Sequence, residues 1–146
     1  MAARRPASTE ASVTELVPRR VLLDTHVWLW WQKNDKRLGV RTRRLIAGSS
    51  EVRFSLASAW EMSIKEALGK LVLPRDANIA LELAHSGFQE LSIGLAHTEE
   101  LRRLPMLHRD PFDRMLIAQS RVEGLTLVTV DAQLGAYDVQ VHDATT

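Results

Sequence analysis

Four acidic residues, Asp24, Glu61, Asp113 and Asp131, stand where carboxylates from distant parts of the chain can meet. Asp24 ends the apolar run Val21-Leu22-Leu23, and Asp131 lies two residues beyond the run Leu125–Thr129. Short apolar runs of this kind read as buried strands, so both acids fall at strand carboxyl ends. Glu61 and Asp113 fall in the first turns of two stretches that read as helices, Ser58 to about Leu68 and Phe112 to about Glu123. In open α/β sheets ligands bind outside the carboxyl ends of the strands, and the helices that follow open onto the same edge. Four unpaired carboxylates in a partly desolvated cleft repel one another. They become tolerable when a cation joins them. The chain has no cysteine, so the available donors are oxygen and imidazole. An all-oxygen shell suits a hard divalent ion, Mg²⁺ or alternatively Mn²⁺.

Each acid also has a purely structural reading. Ser58-Ala59-Trp60-Glu61 matches a capping box, in which Glu61 reaches back to the Ser58 backbone. Asp113 suits the first turn of any helix through the helix dipole, and Asp131 suits an N-cap. Asp24, a carboxylate directly ending an apolar strand, demands a partner. No single acid is decisive; the four together point to a metal site.

The elements that would position these acids alternate between strand and helix patterns. After Asp24 comes a helix-like stretch with Val27, Trp28, Trp30 and Trp31, then a second near 38–48 with an arginine-rich face. Val52–Ser55 alternates as a strand; Trp60, Ile64 and Leu68 recur every four residues on the helix that follows, which Gly69 closes. Further elements are a helix over 76–86, a strand Phe88–Ile93, a helix Gly94–Arg103, a turn-like stretch Leu104–Pro111, the helix closed by Gly124, and a last strand Tyr137–Val141. This alternation predicts an α/β fold with a parallel sheet covered by helices on both faces.

Composition bounds the rest. The 146 residues suffice for one domain with a real core, and no apolar run approaches the roughly 18 residues that cross a bilayer. No signal-peptide segment follows Arg4 and Arg5, so cytoplasmic residence is expected. Residues 1–19 lack apolar periodicity and read as a flexible leader. Net charge is +1; residues 1–20 hold four arginines and two glutamates, leaving −1 for the remainder. Any nucleic-acid substrate must therefore be attracted by local basic groups and bound cations, since there is no global basic surplus.

Four blocks occur in order: Val21-Leu22-Leu23-Asp24-Thr25-His26-Val27; Ser58-Ala59-Trp60-Glu61 with Lys65; His108-Arg109-Asp110-Pro111-Phe112-Asp113-Arg114 running into Leu116-Ile117-Ala118-Gln119; and Leu127-Val128-Thr129-Val130-Asp131. Together they resemble the PIN-domain toxins of VapC type, over residues 20–143. The resemblance implies a three-layer α/β/α PIN-like nuclease domain with a central parallel sheet and an Mg²⁺-dependent endoribonuclease activity. It further implies a VapB-like antitoxin partner, an RNA substrate and a homodimer. By position, Asp24 and Asp113 become metal ligands, and Glu61 and Asp131 complete the set. Asp110 rivals Asp113, but the register of Leu116-Ile117-Ala118 favours Asp113. Val130 departs from the family, where Arg or Asn is common near the last acid.

Residues around the acids carry open readings. Thr25 and Thr129 can bond carboxylate or phosphate, or serve as ordinary turn and strand-end residues. Lys65 shares a helix face with Glu61, which favours a salt bridge over a phosphate contact. Arg114 can meet phosphate, antitoxin acids or solvent. His26 and His108 form no spaced pair and receive no metal role. Trp28, Trp30, Trp31 and Trp60 read as core or dimer interface before base-stacking groups. Arg37, Arg41, Arg43 and Arg44 form the best local basic patch for RNA. The competing function is a catalytically inactive PIN-type RNA-binding or regulatory module. Receiver and phosphatase readings fail because His26 stands where a second Asp belongs and Val139-Gln140-Val141 contains no Lys.

Overall fold

The computed structural model describes residues 19–146, so the leader expected over 1–19 lies outside the described residues except for Arg19, whose carbonyl accepts from Ser50 N at 2.9 Å. Five strands, β1 (Arg20–Leu23), β2 (Glu51–Ser55), β3 (Gln89–Leu91), β4 (Thr126–Thr129) and β5 (Val141–Asp143), form one sheet in the order β3-β2-β1-β4-β5. Every pairing is parallel. Between them run α1 (Thr25–Lys33), α2 (Val40–Gly48), α3 (Leu56–Ala67), α4 (Ile79–Ser86), α5 (Leu95–Arg103) and α6 (Pro111–Glu123).

The period-2 geometry of β1 divides its side chains between two cores. Val21 and Leu23 pack with Trp28, Trp31, Ile46 and Phe54 on one face. Leu22 packs with Leu116, Ile117, Leu127 and Leu134 on the other. A strand buried on both faces must read as an uninterrupted apolar run, as Val21-Leu22-Leu23 does. The three-layer α/β/α expectation therefore holds. From the central β1 the chain moves outward to β2 and β3, then returns through α5 and α6 to β4 on the other side. The gap beyond the ends of β1 and β4 is the switch point of the sheet, the usual place for a ligand in such folds.

Two sequence expectations are displaced. The last strand begins at Val141 rather than Tyr137, because Ala132–Tyr137 forms a 3-10 turn and Asp138 takes a left-handed conformation (φ 55°). Tyr137 is instead buried, with its hydroxyl accepting from Leu107 N at 3.0 Å. The third helix begins at Leu56, capped by Ser55 at the end of β2, whose hydroxyl accepts from Ala57 N at 3.0 Å. Ser58 lies within the helix, and its buried hydroxyl has no hydrogen-bond partner.

The chain's last residues close against α2. Gly39 N donates to Ala144 O at 2.9 Å, and a Cβ at Gly39 would stand 1.8 Å from the Thr146 carbonyl oxygen, so only glycine fits. Thr42 on α2 and His142 on β5 approach to 2.8 Å between Oγ1 and Nε2.

Candidate active site

Asp24 is the first residue after β1 and also the N-cap of α1. Its Oδ1 accepts from Val27 N at 2.9 Å and its Oδ2 from Val130 N at 3.0 Å. The carboxylate thus joins the start of a helix to the segment beyond β4. It is buried, and burial pushes its carboxyl above the usual carboxylate range, against the pull of hydrogen bonds from Thr129, Val27 and Val130. Thr129 Oγ1 also accepts from Asp131 N at 3.0 Å, so one hydroxyl connects the two strand-end acids.

Glu61 is the sixth residue of α3, one turn further in than a capping box requires. Its Oε1 accepts from Thr25 Oγ1 at 2.6 Å and its Oε2 lies 2.8 Å from Lys65 Nζ. The capping-box reading therefore fails, whereas the Glu61–Lys65 salt bridge is present. Thr25 acts on a carboxylate, the first of its two readings. Lys65 is held more firmly protonated, first by Glu61 and further by Asp110 and Asp113.

Asp113 stands in the first turn of α6. Asp110 is that helix's N-cap, with Oδ1 accepting from Phe112 N at 2.8 Å and Asp113 N at 3.1 Å. The rivals have separated: Asp110 spends one oxygen on the helix start and Asp113 keeps both free of the backbone. Asp113 Oδ2 lies 2.9 Å from His108 Nε2. Burial, and then Asp110 beside it, push the Asp113 carboxyl up to about 6. Asp131 caps the 3-10 turn through Gln133 N at 3.0 Å, as its N-cap reading expected, and still reaches the cavity.

All four predicted acids, with Asp110, line one cavity of about 210 Å³ at the carboxyl ends of β1 and β4. Lys65 is the one Lys or Arg among its lining residues. Two of these acids, Asp113 and Asp131, also have ligand atoms within 4.8 Å of one another and of His108. The donor set is carboxylate oxygen with one imidazole in reach, which fits a hard divalent cation and extends to Mn²⁺. Burial is the main cause that raises the carboxyls of Asp24 and Asp113, and Asp110 adds like-charge repulsion at Asp113.

His108, which forms no spaced pair in the sequence and so has no metal role on that reading, nevertheless meets Asp113. The signal was its five-residue separation from Asp113 across a Pro-containing turn, which sequence alone does not convert into contact. Arg114 departs from each of its readings. It is buried, its Nη1 donating to Pro105 O at 2.9 Å and Tyr137 Oη at 3.1 Å, so it anchors the segment that carries His108. The arginine patch also divides. Arg37 pairs with Asp35 at 2.7 Å, and Arg43 is consumed by Asn34 Oδ1, Leu38 O and Asp35 O, leaving Arg41 and Arg44 exposed. Trp28 and Trp31 are core, as expected; Trp30 is half-buried and Trp60 is 59% exposed, edge-on to Phe112.

A sequence model of the PIN domain matches residues 21–140, and the chain belongs to the PIN-domain family. Its fold is similar to that of VapBC2 from Rickettsia felis bound to a DNA fragment from their promoter, at 14% identity and a TM-score of 0.65, covering 84% of this chain and 97% of the matched one. DNA-bound VapBC from Salmonella typhimurium is similar at 16% identity and 0.63, covering 86% and 98%. A toxin–antitoxin complex from Klebsiella pneumoniae is similar at 18% identity and 0.57, covering 85% and 97%. No curated protein matches the chain in sequence. No helix among the described residues is long and apolar enough to cross a membrane.

Proposed function

We propose that this chain is the toxin of a type II toxin–antitoxin pair, a cytoplasmic endoribonuclease that hydrolyses phosphodiester bonds of tRNA, rRNA or mRNA with Mg²⁺. The observation that carries the reading is the cavity in which five carboxylates face a single ammonium group. Asp24, Glu61, Asp113 and Asp131 would hold the metal. Bound there, Mg²⁺ would supply an activated water and neutralise charge on the phosphate and the leaving oxygen.

The chain's own groups prepare that site. Thr25 and Lys65 hold the two oxygens of Glu61, fixing its rotamer. His108 steadies Asp113, and Arg114 with Tyr137 steadies the loop carrying His108. Lys65, 37% exposed in its side chain, is placed to meet a phosphate oxygen while it balances Glu61. Attack by water rather than by the RNA 2′-hydroxyl leaves a 5′-phosphate and a 3′-hydroxyl.

Partnership with a VapB-like antitoxin is supported by the toxin–antitoxin complexes among the structural neighbours. A homodimer is supported by the exposed Trp60, an aromatic surface that a second copy would cover. The test is cleavage of a tRNA pool by the purified protein with Mg²⁺ and with EDTA, followed by end-group analysis. Metal-dependent cuts with 5′-phosphates that vanish in Asp113→Asn are expected. RNA bound but uncut under every metal condition would replace the enzyme by a binding module.

A further inference from the structure

Beside the acidic cavity lies a second depression of opposite character. It encloses about 400 Å³ and shares Thr25, His26 and Lys65 with the acidic cavity, so the two adjoin. Lys33, Lys70 and Arg37 join Lys65 on its walls, and no acid lines it. Arg37 and Lys65 have acid partners, Asp35 and Glu61. Lys33 and Lys70 are exposed and make no side-chain ion pair or hydrogen bond among the described residues. Two cations without an ion-pair partner among the described residues thus stand next to a pocket of carboxylates. Trp30 is half-buried on the same wall, with Arg37 Cζ over its ring at 4.9 Å from the centroid.

We infer that this groove binds single-stranded RNA adjacent to the bond to be cut, with Lys33 and Lys70 taking backbone phosphates and the Trp30–Arg37 pair receiving an unpaired base. The inference rests on the ribonuclease reading of the neighbouring cavity. A polyanion entering that cavity must pass a repulsive rim, and the lysines supply the attraction at its edge. A groove that combines cations with an aromatic face suits a strand with unstacked bases, whereas a duplex buries those faces. An acidic peptide would use the lysines and leave the tryptophan idle.

The distinguishing measurement is the salt dependence of binding. Each phosphate neutralised on a single strand contributes about −0.7 to the slope of log K against log salt. A fluorescein-labelled single-stranded RNA dodecamer is titrated by anisotropy in EDTA, where binding is read without metal-dependent cleavage. Lys33→Gln/Lys70→Gln should make the slope shallower by about 1.4, with the Mg²⁺-induced rise in Tm intact, which shows the protein folded and the acidic cavity whole. Trp30→Leu should weaken binding about tenfold with an unchanged slope. Arg41→Gln/Arg44→Gln tests the arginine patch that the sequence suggested for RNA; both residues lie outside the groove, and the variant should change neither.

A lysine double variant with the wild-type slope overturns the proposal. So does an equal loss in the Arg41/Arg44 variant, which would mean diffuse attraction, or loss of acidic-peptide binding with RNA binding untouched. Groove-dependent RNA binding without cleavage in any metal would leave the groove standing and remove the nuclease reading instead.

Discussion

At the scale of residues, the acids differ in how much of the fold each one holds. Asp24 accepts two backbone N–H groups, one on each oxygen. In Asp24→Asn one of those N–H groups would face an amide NH₂, so the substitution removes a ligand and breaks a buried hydrogen bond together. We expect it to abolish cleavage and to lower stability by about 1–3 kcal/mol. Asp113 holds no backbone group and sits among like charges. Asp113→Asn should abolish cleavage with the metal-free Tm equal to or above wild type. Thermal scans in EDTA check both, and a Tm loss in Asp113→Asn as large as in Asp24→Asn would refute the distinction. Asp24, Asp113 and Asp131 were legible from sequence because strand ends and helix starts are; Glu61, expected in a first turn, lies in the second turn of α3 and still lines the cavity. Arg114 was misjudged because neighbours on a helix diverge by about 100°: with Asp113 facing the cavity, Arg114 turns toward the buried loop. His108 and Asp110 depend on the path of a turn, which no periodicity encodes.

At the scale of elements, the lesson lies in α3. Ser55 and Ser58 both offer a cap, and Ser58 with Glu61 satisfies the local rule better. The sheet decides otherwise, since β2 ends at Ser55 and its hydroxyl there also donates to buried Gln119 Oε1 on α6 at 2.6 Å. Ser55→Ala should therefore cost about 1–2 kcal/mol, whereas Ser58→Ala, which removes an unpartnered buried hydroxyl, should be neutral or stabilising. Denaturant titration of the two variants separates the alternatives. The contact between α2 and β5 carries a pH dependence. Burial, and then Arg41 and Arg19, hold the His142 imidazole below its ordinary range, with Asp143 pulling the other way. The unfolded chain then binds a proton that the folded chain refuses, so stability falls as pH drops below about 6.5. The loss between pH 7.5 and 5 should be smaller in His142→Gln than in wild type; equal losses would sink the assignment.

At the scale of the molecule, sheet and layers were readable because a parallel sheet buried on both faces leaves unbroken apolar runs, and β1 and β4 are such runs. The last strand was placed too early because Val139-Gln140-Val141 alternates, while its true start is set by pairing of Leu127 with Val141. One prediction belongs to the whole molecule. An ion that binds only the folded cavity stabilises by mass action, about 2.7 kcal/mol at a hundredfold excess over its Kd. Mg²⁺ or Mn²⁺ should raise the Tm of wild type and leave Asp113→Asn almost unmoved; an equal rise in both would mean that the ion binds elsewhere.

The bond from Val130 N to Asp24 spans 106 residues of chain. On a ribosome adding about 5–20 residues per second, the first acid is made roughly 5–20 s before its counterpart across the sheet. Throughout that interval the growing polypeptide holds parts of the acidic pocket and no complete pocket. Whatever chemistry needs the pocket whole therefore waits until β4 and the segment beyond it have been made.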